Sequence, residues 1–235
     1  MRVLIAGAGH AGLAVAAHLQ KGGHEVAVVD RDEAAVRRAL ETHGLVALAG
    51  DATSARVLRD ADVARADVVV AMLRRDADNL AVASLSRDAG VRRVMVRMRE
   101  PEYRSVYQAA GVHRILSETD VLVGALATAI EHEAVRHSMP LGGGEALAFE
   151  IAVPATSHVV GRTVSELAAE PSFPPSCVFA GMSAAPGAIE VPRGSSVIRA
   201  GVELLLVVKR QDVARAVDFF MSARAGVSAS KPPVA

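Results

Sequence analysis

Gly7, Gly9 and Gly12, with Asp30 downstream of them, are the residues of this chain whose types and spacing can do chemistry. In the run Gly7-Ala8-Gly9-His10-Ala11-Gly12 each glycine meets a different steric demand. Gly7 permits a tight turn, Gly9 lets backbone come close to a pyrophosphate, and Gly12 lets a helix pack against a strand. Amide groups at the helix start would face the anion, because that end carries unpartnered N–H groups and the positive end of the dipole. Asp30 would accept hydrogen bonds from ribose hydroxyls. The chemistry this predicts is the recognition of a dinucleotide.

Such a motif works only between a strand and a helix, with a second strand delivering the acid. The sequence provides each part. Val3-Leu4-Ile5-Ala6 is a short apolar run, Leu13 to Gln20 is helix-like, and Glu25 to Val29 is a strand pattern ending on Asp30. The alternation then continues. Asp32 to Thr42 reads as a helix stopped by Gly44, and Val46 to Ala49 as a strand followed by Gly50-Asp51-Ala52-Thr53. After a short helix from Ser54 to Asp60, Val68 to Met72 is apolar without alternation, as a parallel strand buried on both faces requires. Asp78 to Ala89 is helical, Arg93 to Met98 a strand, Pro101 to Ala110 a short helix, and Arg114 to Leu116 a sixth strand. Alternation of this kind predicts an α/β fold with a doubly wound parallel sheet, Rossmann-like.

Ser117 or Thr119 can cap the next helix, predicted to run to about His137 and to stop before Pro140. Its first half, Val121 to Ile130, is apolar nearly all round, so it must be buried between partners. The glycines at 142–144 mark a composition shift and a linker. Beyond them short strands, turns and two helices predict a small α+β lobe. The boundaries expected are 1–117 for the nucleotide-binding domain, 118–144 for a crossover helix and linker, 145–221 for the second lobe, and 222–235 for a disordered tail.

Composition narrows the class. Lys plus Arg equals Asp plus Glu at 26 each, which leaves no net field to draw the chain onto nucleic acid or an anionic membrane. The single cysteine, Cys177, cannot form an internal disulfide, which suits a reducing cytoplasm. Arg2 leads straight into the first strand, so no export leader is expected. No apolar run reaches the roughly 20 residues of a membrane-crossing helix, so no direct membrane insertion is expected.

With these motifs in hand, the chain resembles the TrkA/KtrA-type regulatory subunits of bacterial potassium uptake systems and channels, built from one RCK domain. The resemblance covers roughly residues 1 to 220. Beyond the glycine turn it rests on Gly50 to Thr53, Arg65 to Ala71, Asp78-Asn79-Leu80, Val94 to Arg97 and Gly111-Val112, and in the second lobe on Val160 to Leu167, Val191 to Gly194 and Gly201 before Leu204 to Val208. The resemblance implies that Gly7, Gly9, His10, Ala11 and Gly12 face the phosphates, Asp30 with Arg31 the ribose, and Asp51 with Ala52 the adenine edge. Met72, Leu73, Asn79 and Arg97 would line the rest of the cleft. It also implies a homo-oligomer, a dimer or a ring of dimers. Its partner would be a membrane-embedded potassium transporter or channel, and its place the cytoplasmic face of the membrane. The second lobe would sense a ligand, although Gly201-Val202 stands where the family usually has Gly-Asp.

The cofactor expected is NAD(H), with ADP or ATP as the alternative. An acid at Asp30 favours free ribose hydroxyls over a 2′-phosphate. The ATP/ADP-responding members of the family often carry arginine after the second glycine, and here that position is His10, a weaker and pH-dependent partner for a γ-phosphate. Two other readings compete. A nicotinamide-dependent oxidoreductase would need an acid–base group aimed at the cofactor. The second lobe offers His158, no Tyr, and no Lys before Lys209, so no catalytic residue is expected. His132 to His137 invites comparison with HExxH, but its histidines are five apart and on one helix would point about 140° from each other, so no metal site is expected. Asp76, Asp78 and Asp88 read as helix-start and surface acids.

Overall fold

A computed structural model describes residues 1–183, 185 and 188–224. The chain divides into two compact units, Met1–Thr119 and Asp120–Ala235. The first alternates strand and helix: β1 (Arg2–Ala6), α1 (His10–Lys21), β2 (Glu25–Asp30), α2 (Glu33–His43), β3 (Val46–Ala49), α3 (Ala55–Asp60), β4 (Val68–Ala71), α4 (Asp76–Asp88), β5 (Arg93–Met98), α5 (Tyr103–Ala109) and β6 (Arg114–Ser117). The sheet order is β3-β2-β1-β4-β5-β6 and every pairing is parallel. This is the doubly wound, Rossmann-like arrangement, with the order reversing between β1 and β4.

The pleat sends alternate residues to opposite faces, and each face has its own core. Ile5, Val28, Leu13 and Ala16 pack on one side. Leu4, Val69, Val94, Met98, Leu58 and Tyr107 pack on the other. Burying a side chain such as Ile5 or Leu4 contributes about 1.5–3 kcal/mol each.

The second unit opens within α6 (Glu118–Glu131) and continues with β7 (Val135–Leu141), β8 (Ala146–Ala152), α7 (Val164–Ala168), β9 (Val178–Ser183), β10 (Ile189–Glu190), β11 (Glu203–Lys209) and α8 (Val213–Met221). Its antiparallel sheet, ordered β10-β9-β11-β8-β7, buries Phe149, Ile151, Leu204 and Leu206 against Phe219 and Phe220 of α8. Thr163 and Glu166 form a reciprocal cap on α7. That bonding, chiefly the Thr163 amide, lowers the Glu166 pKa. Cys177 is buried, and desolvation pushes its thiol up to about 12, so it is unreactive near neutral pH.

Three expectations change here. The helix predicted to reach His137 ends at Glu131, and 135–141 is an edge strand paired with β8. The residue before a proline is biased toward extended backbone, and an edge strand tolerates Pro140 where a helix would not. The glycines at 142–144 are accordingly a turn between β7 and β8, all with positive φ. Finally, Ser222 to Arg224 are held in place: Ala223 bridges Ser157, and the Arg224 amide donates to Thr156 O at 2.8 Å. The rest of the tail, 225–235, lies outside the described residues.

Candidate nucleotide site

The strands' carboxyl ends carry the predicted residues. The Gly7 amide donates to Val29 O at 2.8 Å, and the Met72 amide donates to Ala6 O at 2.8 Å, so β1, β2 and β4 meet at the glycine turn. Gly7 has φ +113°, and a Cβ there would lie 2.9 Å from Met72 O. A Cβ on Gly12 would lie 2.0 Å from Gly7 O, because α1 crosses directly over the turn. Gly9 differs from both, having nothing within 4 Å of the place a Cβ would take. The first two glycines are demanded by the fold, and the third is not. Gly9, His10 and Ala11 are exposed at the start of α1, a 12-residue helix that no side chain caps. Open space before a helix N-terminus is what an anionic group requires.

Asp30 ends β2. Its Oδ2 accepts the Ala8 amide at 2.7 Å, and its Oδ1 accepts the Asp32 amide at 2.9 Å. A carboxylate has about four lone-pair positions, so two remain for ribose hydroxyls. Arg31 beside it is exposed. The Gly50 amide donates to Asp30 O at 2.9 Å and brings the loop after β3 alongside. There Asp51 Oδ1 accepts both the amide and the hydroxyl of Thr53, at 2.9 and 2.7 Å. The Thr53 amide, then its hydroxyl, lowers the Asp51 pKa, with a smaller pull from the Arg31 charge. Asp51 is exposed and Ala52 is buried beneath it.

On the far side the polar side chains hold the strand ends. Asn79 is fully buried. Its Oδ1 accepts the Leu73 amide at 2.7 Å, and its Nδ2 donates to Leu73 O at 3.2 Å and Arg97 O at 3.0 Å. It clamps the ends of β4 and β5. Arg97 Nη2 donates to Met72 O and Leu73 O at 3.2 and 3.0 Å, while Nη1 lies 3.6 Å from Glu118 Oε2. Its charge is thus partly engaged within the chain. Met72 and Leu73 are half-buried.

Asp76 is not a surface acid. At 2 % exposure it accepts the Tyr107 hydroxyl at 2.7 Å and the Glu100 amide at 2.9 Å. Burial, and then the bond to Asp76, raises the Tyr107 pKa, so the phenol stays a donor. This pins the β5–α5 loop to the start of α4. An acid at the head of a helix and the chain's two tyrosines, Tyr103 and Tyr107, on the next helix are the signals the sequence offers. Asp78 pairs with Arg75 at 2.9 Å, and Arg74 and Asp88 are exposed.

His137 lies in β7, 3.0 Å from Glu150, so the helical angle between it and His132 does not apply. Among the described residues no three His, Cys, Asp or Glu side chains are grouped to hold a metal. A cleft of 290 Å³ lies toward the amino ends of β1, β2 and β3 and contains none of the glycine-turn residues. Open α/β sheets bind ligands at the carboxyl ends, at the switch in strand order, so we assign the site to the glycine turn.

The TrkA-N domain model matches residues 3–118, and the TrkA-C domain model matches residues 148–221; together they take in most of the chain. The chain belongs to the TrkA family. A Trk system potassium uptake protein TrkA homolog of Archaeoglobus fulgidus is 32% identical over 217 residues, covering 91% of this chain and 48% of that protein. Another, from Methanothermobacter thermautotrophicus, is 24% identical over 216 residues and is covered to 97%. The chain thus spans about half the length of one relative and nearly all of the other. Among solved structures, the GsuK channel superposes on 95% of this chain and 40% of its own at TM-score 0.67 and 20% identity. The GsuK channel bound to NAD does so at TM-score 0.63 and 20% identity over the same shares. These likenesses support an RCK-type fold for this TrkA chain. No helix among the described residues is long and apolar enough to cross a membrane.

Proposed function

We propose that this TrkA-family chain is a nucleotide-sensing regulatory subunit that binds NAD(H) at the glycine turn and gates a membrane-embedded potassium transporter or channel from the cytoplasmic side. The observation that carries the reading is the pairing of an open Gly9 at the head of α1 with a fixed carboxylate at Asp30. The first offers amides to a pyrophosphate, and the second offers lone pairs to ribose. Asp51 Oδ2 is oriented by the Thr53 bonds on its sister oxygen and would accept an adenine amino group, with Ala52 under the ring. The NAD-bound GsuK channel and the Trk names of the relatives support the same reading.

NAD(H) is preferred over ATP on charge. Arg97, a candidate cation for a γ-phosphate, is drawn to two carbonyls and lies near Glu118. The two phosphates of NAD(H) need only amides and the helix start. ADP is the nearest competitor. The chain would act as a homo-oligomer joined through α6, with regulation rather than catalysis as its role. Calorimetric titration with NADH, NAD, ADP and ATP at one salt concentration tests the ligand. ATP binding tenfold or more tightly than NADH, about 1.4 kcal/mol, would reverse the assignment. Co-purification from native membranes, with identification of the partner, tests the transporter.

A further inference from the structure

The Arg97 guanidinium joins the carbonyls beside the glycine turn to the first residue of α6. Gly7 sits against Met72 O, the carbonyls of Met72 and Leu73 take Arg97 Nη2, and Arg97 Nη1 faces Glu118 Oε2. Glu118 is where α6 begins, and α6 leads the chain out of the first unit. A dinucleotide that crosses the switch point passes from the end of β1 to the end of β4, over the turn that Arg97 holds from beneath.

Arg97 is not at rest in this arrangement. Its Nε is buried with no partner, and its carboxylate neighbour stands at 3.6 Å, beyond a hydrogen bond. The carbonyls hold Nη2 while the carboxylate stands just out of bonding reach of Nη1, so a small displacement of the β4 turn would let Arg97 close onto Glu118. Arg99 Nε also lies 3.6 Å from Glu118 Oε2, so the carboxylate keeps a cation when Arg97 is withdrawn. Arg99 Nη1 donates to Arg74 O at 3.2 Å and makes no bond to Met72 or Leu73. Of the two arginines, Arg97 is the one bonded to the Met72 and Leu73 carbonyls.

We propose that Arg97 and Glu118 form a relay in which the conformation of the Met72–Leu73 turn sets the order of the first turn of α6, coupling nucleotide binding to the helix that leaves the nucleotide-binding unit. Arg97 is a positioning residue here. The inference rests on the nucleotide reading above and adds the route by which occupancy is transmitted. Coupling of this kind is reciprocal, so whatever loosens Glu118 alters the affinity for nucleotide by the same factor.

Hydrogen exchange over residues 118–124, with and without saturating NADH, reads the relay, and calorimetry on the same samples reads the affinity. In the unaltered chain NADH slows exchange there by about fivefold or more. Glu118→Gln, at an exposed position that leaves the fold intact, abolishes most of that difference and changes the NADH dissociation constant in proportion. Arg97→Lys does the same, because one ammonium cannot span both carbonyls and the carboxylate. Arg99→Gln leaves the difference in place. A merely structural Glu118 would shift exchange equally with and without NADH, and that result overturns the relay. NADH heat without any change at 118–124 overturns the relay alone. No heat with any nucleotide overturns the nucleotide reading and the relay with it.

Discussion

Asp30 Oδ2 accepts the Ala8 amide at 2.7 Å, so the acid that should hold ribose also holds the glycine turn. One side chain would serve the fold and the proposed ligand together. Asp30→Ala removes the acceptor for two amides, those of Ala8 and Asp32. We expect a loss of stability of about 1–3 kcal/mol, read by chemical denaturation, since an unsatisfied buried amide costs that much. NADH affinity should fall tenfold or more in titration, about 1.4 kcal/mol. A dissociation constant that does not move would show that ribose is held elsewhere.

The glycines separate fold from function. Gly12→Ala would put a methyl 2.0 Å from Gly7 O, which is backbone and cannot swing away. Overpacking of that kind costs about 1–3 kcal/mol or more, and poor folding is expected. Gly9→Val meets open space in the protein, the space proposed for the pyrophosphate. It should melt close to the parent chain yet show no nucleotide heat. If Gly9→Val binds NADH normally, the phosphates lie away from this turn.

Val121, Leu122, Val123, Leu126 and Ile130 of α6 are exposed in the single chain, Ile130 to 82%. A helix with so much apolar surface needs a covering partner, and a second copy is the simplest one. Light scattering should therefore show at least a dimer at micromolar concentration. Leu126→Glu should shift it to monomer by placing a charge on that face. A parent chain that is monomeric would remove the assignment.

Asp51 gives a pH prediction with a definite sign. Its folded pKa lies below the ordinary aspartate value, chiefly through the Thr53 amide. A carboxylate depressed on folding adds stability above its unfolded pKa and loses it as pH falls through the folded one. The stability gap between the parent chain and Asp51→Ala should therefore be flat from pH 5 to 8. It should close only below about pH 4, in urea denaturation followed by circular dichroism. A gap that closes between pH 7 and 5 would contradict the assignment.

The sheet was readable because period and punctuation agree. β5 runs from Arg93 to Met98, as its pattern predicts, and each helix of the first unit falls within three residues of its pattern, α1 starting at His10 rather than Leu13. The glycine turn was readable because Gly7 and Gly12 answer backbone demands and Gly9 stands at the fixed spacing between them. Asn79 and Arg97 were not readable in the same way. A polar residue at a strand end or a helix start can turn inward to bond carbonyls or outward to meet a ligand, and spacing is the same for both. Asp76 hid for that reason too, its partners Tyr107 and Glu100 being distant in sequence. The end of α6 was misjudged because 132–137 is too short to separate a helical period from an alternating one, so only pairing with β8 decides it.

The turn from Gly7 to Gly12 is shaped by the chain's own bonds: Gly7 N to Val29 O, Ala8 N to Asp30, and α1 pressed onto Gly7 O. A cradle built this way does not wait for its guest to be shaped. Nucleotide entry should then be a single encounter, with the observed rate in stopped-flow rising linearly with concentration and no plateau from a slow rearrangement. Any slower phase belongs to events downstream of the cradle, and its timing, unlike the encounter's, should be independent of how much nucleotide is present.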